Sequence, residues 1–176
     1  MVQKSTPQRQ HEFDIAYMKM AVAMSELSYA IRKQVGSIIV SKDDQVISQG
    51  FNGTAAGLPN VCEEVDNNGV IENHDNDMSY VQTMYRPIHM GKFTGMRLVT
   101  KDTVLHAEAN AISKCARYDS SVKGGTLYVT LSPCIQCAKL IVQSEIVRVV
   151  YLNDYRDDSG IKFLKSCGIQ VDKLIP

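Results

Sequence analysis

The sequence lacks net charge: its 19 lysine and arginine residues are matched by 19 aspartate and glutamate residues. A balanced chain sets up no broad positive field, which argues against a nucleic-acid polymer or an anionic membrane as partner. A small phosphorylated ligand needs only a local cluster and stays open. Also missing is any apolar run near the roughly 20 residues of a membrane span. The first eleven residues are polar and lack the apolar segment of a signal peptide, so a cytoplasmic protein is expected. There is no internal repeat and no low-complexity tract. The five cysteines are an odd number, which suits reduced thiols and metal ligation better than a disulfide framework.

What is present is ordinary for one globular domain. The 176 residues are 44% hydrophobic and 22% charged, enough to bury a core without staples. Residues 1–11 read as a flexible tail and residues 12–176 as the domain. Phe13, Ala16, Met20, Ala23 and Leu27 recur near helical spacing and predict a helix over residues 12–31. The β-branched run 35–40 predicts a strand, 42–45 a turn, and 46–48 the start of a second strand, together a hairpin. Residues 53–103 show no period and are rich in glycine, asparagine and proline. Beyond them the rhythm is regular. Helices are expected over 105–117, 133–144 and 160–166, and strands over 126–131, 147–152 and 169–174. Strands alternating with helices predict an α/β layered fold with parallel pairing in its second half.

Two short clusters carry the chemistry. One is His106-Ala107-Glu108; the other is Pro133-Cys134-Ile135-Gln136-Cys137. Imidazole and thiolate are good zinc donors, and three protein ligands leave a fourth position for water, the pattern of a catalytic site. Cys134 and Cys137 stand three apart, on one face of a helical turn. Ser132 is suited to cap that helix and Pro133 to its first position. The thiols would then lie at the positive end of the helix dipole, which favours thiolate. His106 opens the preceding helix in the same way. Glu108 can face the same ion without ligating it, taking a proton from water and returning it to substrate. Alone, a Cys-x-x-Cys or a His-x-Glu is a weak signal. In this order and with this proline the combination is the signature of zinc deaminases.

At these residues the chain resembles the cytidine deaminase superfamily, and within it the deoxycytidylate deaminase branch, including its bacteriophage forms. The resemblance runs from about residue 13 to the end. Its pieces are Arg32-Lys33-Gln34-Val35-Gly36, Gly50-Phe51-Asn52-Gly53, His106 to Ile112, Thr130 to Lys139, and Val150-Tyr151 with Asn153-Asp154-Tyr155-Arg156. It implies a three-layer fold with a five-stranded mixed sheet and helices on both faces. It implies hydrolysis of dCMP to dUMP and ammonia with one catalytic Zn²⁺ per chain, supplying dUMP for thymidylate synthesis. It also implies activation by dCTP, inhibition by dTTP, both with Mg²⁺, a homo-hexamer, and the host cytoplasm for a phage-encoded form.

The resemblance assigns His106, Cys134 and Cys137 to the metal and Glu108 to acid–base catalysis. It makes Asn52 a sugar contact, Arg32 a phosphate contact with Lys33 assisting, and Tyr155 a phosphate donor. Gly50, Asn52, Gly53 and Arg117 are candidates for the effector site, and the glycine-bearing segment after Asn52 is where relatives bind the triphosphate. Each has a plainer reading. Asn52 suits an Asn-Gly turn, Arg32 and Lys33 a solvated basic pair, Tyr155 a half-buried core position and Arg117 a last-turn helix cation. Cys62, His74 and His89 are too irregularly spaced to favour a second zinc. Cys115 and Cys167 are expected in the core and His11 in the tail. Two other functions compete: another deaminase of the superfamily, acting on a nucleoside, guanine or tRNA adenosine, and a non-catalytic zinc-binding nucleotide sensor. The unliganded carboxylate of Glu108 argues against the sensor.

Overall fold

The computed structural model describes residues 6–65, 98–118 and 120–175. Its centre is a sheet of five strands: β1 (Gly36–Val40), β2 (Val46–Phe51), β7 (Thr126–Leu131), β8 (Arg148–Asn153) and β9 (Gln170–Lys173). Their order is β2-β1-β7-β8-β9. The expected hairpin is present: β1 and β2 pair antiparallel, from Gly36 opposite Phe51 to Val40 opposite Val46. Asp44 takes a positive φ of 61° in the turn, a conformation that aspartate tolerates better than most residues. β1 also pairs antiparallel with β7, whereas β7–β8 and β8–β9 are parallel. The parallel pairs are joined by helices α3 (Ile135–Gln143) and α4 (Ser159–Ser166), as parallel strands require crossovers. Two short ribbons flank the sheet: β3 (Gly53–Thr54) with β6 (Val104–Leu105), and β4 (Glu63–Val65) with β5 (Leu98–Thr100).

Alternation along the strands splits the core in two, because successive side chains point to opposite faces. Ile39, Leu127, Val129 and Val149 meet Ala111 of α2 (Ala107–Arg117), Ala138 and Ile141 of α3, and Leu164 of α4. Ile38, Val40, Tyr128 and Val150 meet Tyr17, Met18 and Ala21 of α1 (Pro7–Ser25) on the other face. The expected three-layer arrangement is thus formed, one helix against three. No described helix is long and apolar enough to cross a membrane.

The first helix departs most from its sequence pattern. It starts at Pro7, where Thr6 caps it by accepting the Arg9 N–H, so residues 7–11 are helical and not tail. His11 is exposed on that helix. It ends at Ser25, six residues before the expected stop. Its buried face is Asp14, Tyr17, Met18 and Ala21. Ala16, Met20, Ala23 and Leu27 face outward, and of the expected row only Phe13 packs at the core's edge. The physical reason is Asp14, a carboxylate on the core side that breaks the apolar stripe. It is accommodated by Arg148, which grips it with two nitrogens at 2.8 and 2.7 Å, and by the Tyr128 hydroxyl at 2.8 Å.

One end of the sheet collects the chain's functional segments. Residues 28–35 enter β1 there, Asn52 leaves β2, and β7 and β8 finish there at Leu131 and Asn153, which are register partners. α2 lies close against β2 because Gly50 has no side chain: a Cβ there would stand 2.2 Å from the Ala107 carbonyl oxygen. That contact fixes the N-terminus of α2, and with it His106, over the sheet's end.

Candidate metal centre

His106 and Cys134 are the N-cap residues of α2 and α3, both in extended backbone, with ψ of 158° and 168°. Cys137 follows in the first turn of α3. Two helix N-termini, each with unpaired N–H groups and positive dipole ends, therefore meet at one point. His106 Nδ1 stands 3.5 Å from Cys134 Sγ and 3.4 Å from Cys137 Sγ. Zinc–nitrogen and zinc–sulfur bonds of about 2.0 and about 2.3 Å at a tetrahedral angle separate such atoms by about 3.5 Å. The donor set and its spacing fit zinc. Among the described residues these three are the only group of three or more ligand-type side chains so clustered. His106 is exposed, Cys134 half-buried and Cys137 buried, so the centre opens to solvent on the histidine side.

The centre holds one readily ionised thiol among its donors. The Cys134 thiol is held down to about 3, chiefly because the Cys137 thiol hydrogen-bonds to it, with His106 adding to the effect against burial. Cys137 is pushed up by the same bond with Cys134 and by burial. His106 is raised, first by its bond to Cys134. Glu108, second in the helix and only 3% exposed, has its carboxyl raised by burial. It meets its own N–H and the Cys137 thiol, which places the carboxyl beside the donors as expected.

Ser132 and Pro133 act differently from the sequence expectation. Cys134 itself occupies the cap position, so both residues lie before the helix. Ser132 is buried at the end of β7, where its hydroxyl accepts the Tyr155 N–H at 2.7 Å. It joins the two strand ends that flank the metal centre, and it stands two residues before the cap position.

The other candidate residues divide by place. Arg32, Lys33, Asn52 and Tyr155 all lie at the metal end of the sheet. Asn52 is 9% exposed, and its side chain pins the segment before β1. Its Oδ1 accepts the Val35 N–H and its Nδ2 donates to the Lys33 carbonyl, each at 2.8 Å. Its own carbonyl accepts from the Ser28 hydroxyl at 2.8 Å. This is more than an Asn-Gly turn requires. Arg32 is exposed, and its Nη1 donates to Thr100 Oγ1 at 3.0 Å. Tyr155 is half-buried, with the Arg156 guanidinium 5.6 Å from its ring centre.

Among the effector candidates, Gly50 and Gly53 are both buried. Gly50 already has its packing reason beneath α2, and Gly53 pairs with Leu105. Arg117 is the last residue of α2, as a last-turn cation, with its guanidinium 5.8 Å from the Tyr118 ring. Gly50 lies beneath Ala107 and Ala111 in the first half of α2, and Arg117 is the last residue of that helix, about 9 Å beyond Ala111 at helical rise. Cys62 is buried at 1%, whereas His74, His89 and Gly69 lie outside the described residues. Cys115 is buried as expected; Cys167 is exposed at the end of α4, because it stands at the C-cap and not on the helix's packed face.

Sequence reasoning missed Glu63. It is 7% exposed, and one carboxylate oxygen accepts the N–H groups of Ile31 and Arg32, at 3.0 and 3.2 Å. Its only sequence signal is an acidic pair inside a breaker-rich stretch, which says nothing about a partner 31 residues earlier.

The comparisons with known proteins agree with this geometry. A family model for the cytidine and deoxycytidylate deaminase zinc-binding region matches residues 11–153. A deoxycytidylate deaminase of Enterobacteria phage T4 is 33% identical over 166 residues, covering 88% of this chain and 86% of that protein. A deoxycytidylate deaminase of Mycobacterium phage D29 is 32% identical over 142 residues, covering 80% of this chain and 94% of that protein. The crystal structure of a cyanophage S-TIM5 dCMP deaminase in complex with dCMP and dUMP superposes with a TM-score of 0.72. It is 32% identical and covers 97% of this chain and 99% of its own. The match spans the hairpin, both metal-bearing helices and the parallel strands, and on that ground this chain belongs to the cytidine and deoxycytidylate deaminase family and is a deaminase enzyme.

Proposed function

We propose that this enzyme hydrolyses dCMP to dUMP and ammonia. The observation that carries the reading is Glu108, a buried carboxyl beside a three-donor zinc set with a solvent-facing side. A closed structural site has no use for such a group. The relatives named as deoxycytidylate deaminases, and the neighbour holding dCMP and dUMP, support the choice of nucleotide. His106, Cys134 and Cys137 would hold zinc, which when bound would supply the Lewis acidity that makes water a nucleophile near neutral pH. Glu108 takes the proton of the attacking water, delivers it to ring nitrogen 3, and then carries a proton to the departing amine at carbon 4. One water is consumed and one ammonia released.

Binding follows from the same end of the sheet. Arg32, with Lys33 assisting and Tyr155 donating its hydroxyl, takes the 5′-phosphate. Asn52 takes the deoxyribose hydroxyl while its amide holds the segment before β1. The product feeds thymidylate synthesis, in the host cytoplasm for a phage-encoded enzyme. dCTP with Mg²⁺ activates and dTTP with Mg²⁺ inhibits, at a site in the segment after Asn52 and Gly53. The chain works as a homo-hexamer; the outward apolar row of Ala16, Met20 and Ala23 on α1, with Leu27 just beyond its end, supports burial against another copy.

Loss of cytosine absorbance tests the reading. dCMP is turned over, whereas deoxycytidine is poor and cytidine and single-stranded DNA are inert. The rate against dCMP is sigmoidal, becomes hyperbolic with dCTP and Mg²⁺, and shifts to higher substrate with dTTP and Mg²⁺. Couplings of about 1–3 kcal/mol give shifts of about 5- to 150-fold. Equal turnover of dCMP and deoxycytidine would remove the phosphate from the account. A hyperbolic curve unmoved by either triphosphate would remove the regulation.

A further inference from the structure

The cross-strand pair Glu63–Thr100 grips Arg32 at both ends. Glu63 and Thr100 face each other in the register of β4 and β5. Glu63 accepts the Arg32 N–H, and the Ile31 N–H before it, through one buried carboxylate oxygen. Thr100 accepts from the guanidinium of the same arginine. One rung of a small ribbon, placed after Asn52 in the chain, thus fixes the backbone and the head of a residue that lies before β1. A carboxylate on two N–H groups is a charge-assisted grip, stronger than one between neutral partners. Thr100 takes one of the five guanidinium donors, so it sets the orientation of the fork without consuming it.

We infer that Glu63 and Thr100 are positioning residues that pre-set Arg32 for the substrate's phosphate, and so set the preference for a nucleotide over a nucleoside. The inference rests on the proposed phosphate role of Arg32. It makes the β4–β5 ribbon a mechanical link: a displacement of the ribbon moves Arg32 directly. Asn52 holds the neighbouring residues 33–35 from the other side, so the segment before β1 is fixed twice and only its Arg32 end depends on the ribbon.

The test is a set of Michaelis constants for dCMP and deoxycytidine with the zinc-loaded enzyme. Glu63→Ala raises KM for dCMP about tenfold, as expected when Arg32 loses one charge-assisted hydrogen bond to the phosphate, and leaves kcat and the deoxycytidine constants in place. Glu63→Gln keeps an acceptor oxygen and restores most of the affinity. Thr100→Val, an exposed near-isosteric change, raises KM for dCMP a few-fold and guards against a folding defect in the alanine variant. In an Arg32→Ala background neither change has a further effect on dCMP, because both act through that arginine. If Arg32→Ala removes the dCMP preference while Glu63→Ala and Thr100→Val keep it, the positioning inference is wrong and the phosphate reading stands. If Arg32→Ala itself weakens dCMP and deoxycytidine alike, both are wrong. A fall in kcat for both substrates in the Glu63 and Thr100 variants makes those residues structural and also overturns the inference.

Discussion

Glu108 concentrates the account at the scale of single residues. It sits two positions after a ligand, at 3% exposure, in the first turn of α2. The clustering of His106, Cys134 and Cys137, with Glu108 buried beside them, was legible in the sequence because it follows from two short local patterns. Asn52 was legible as a position but not as a structure. Its amide bonds to residues 33–35 belong to another segment, and nothing local to Gly50-Phe51-Asn52-Gly53 encodes them. Glu63 was invisible for the same reason. The prediction that belongs here is Glu108→Gln. It keeps shape and zinc, and lowers kcat for dCMP by about 10²–10⁴, the usual contribution of a positioned acid–base group. Metal content and unfolding temperature measured on the same sample separate lost chemistry from lost structure. Turnover within a few-fold of the native enzyme would take Glu108 out of the mechanism.

Elements place those residues, and here the close contacts between backbones decide. α4 packs against the start of α3 through Gly160, where a Cβ would stand 2.0 Å from the Pro133 carbonyl oxygen and 2.8 Å from the Cys134 carbonyl carbon. Both neighbours are backbone and cannot rotate away. Gly160→Ala therefore pushes on the peptide that carries a zinc ligand. An overpacked contact of this kind costs about 1–3 kcal/mol. The expected result is a lower melting temperature and faster loss of zinc to a chelator; a variant that holds zinc as well as the native protein would show that α4 does not support the site. Most element positions were readable from periodicity: 126–131 matches β7 at both ends, since its alternating residues are buried on both faces. The face of α1 was not readable. Asp14 sits on the core side, while Ala16, Met20 and Ala23 form an apolar row on the exposed side. The cap of α3 was misread because the helix starts at Ile135, which puts Cys134 at the cap and leaves Ser132 in the strand end, bonded to the Tyr155 N–H.

Across the whole molecule, the two layers outside the sheet are tied by different means. The three-helix face is held by apolar packing, close backbone contacts and neutral hydrogen bonds such as those from the Ser37 and Ser48 hydroxyls to the Ala107 and Ala111 carbonyls of α2. The α1 face adds a polar link that runs from the helix through the sheet: Gln10 and Tyr128 donate to Asp14, and Arg148 bridges Asp14 to Asp172 of β9. Burial alone would raise the Asp14 carboxyl, but hydrogen bonds from Arg148, Gln10 and Tyr128 outweigh it and hold the group below its usual range. A carboxyl depressed in the folded state adds stability above its unfolded pKa of about 3.9, and loses it as pH falls toward the folded value. Asp14→Asn is expected to destabilise the protein by about 3 kcal/mol at neutral pH, the lower end for a broken buried pair, since Arg148 keeps Asp172. In denaturant titrations that deficit shrinks below about pH 4. A deficit that is constant with pH would show that the pair's charge contributes nothing. This link joins residues 134 apart, a distance over which no sequence pattern reports. The zinc site forms where two helices begin. Metal analysis of the purified protein tests it most directly. The account predicts one zinc per chain, and loss of that zinc in Cys134→Ala. Zinc retained in full by Cys134→Ala, or none in the native enzyme purified without chelator, would contradict it.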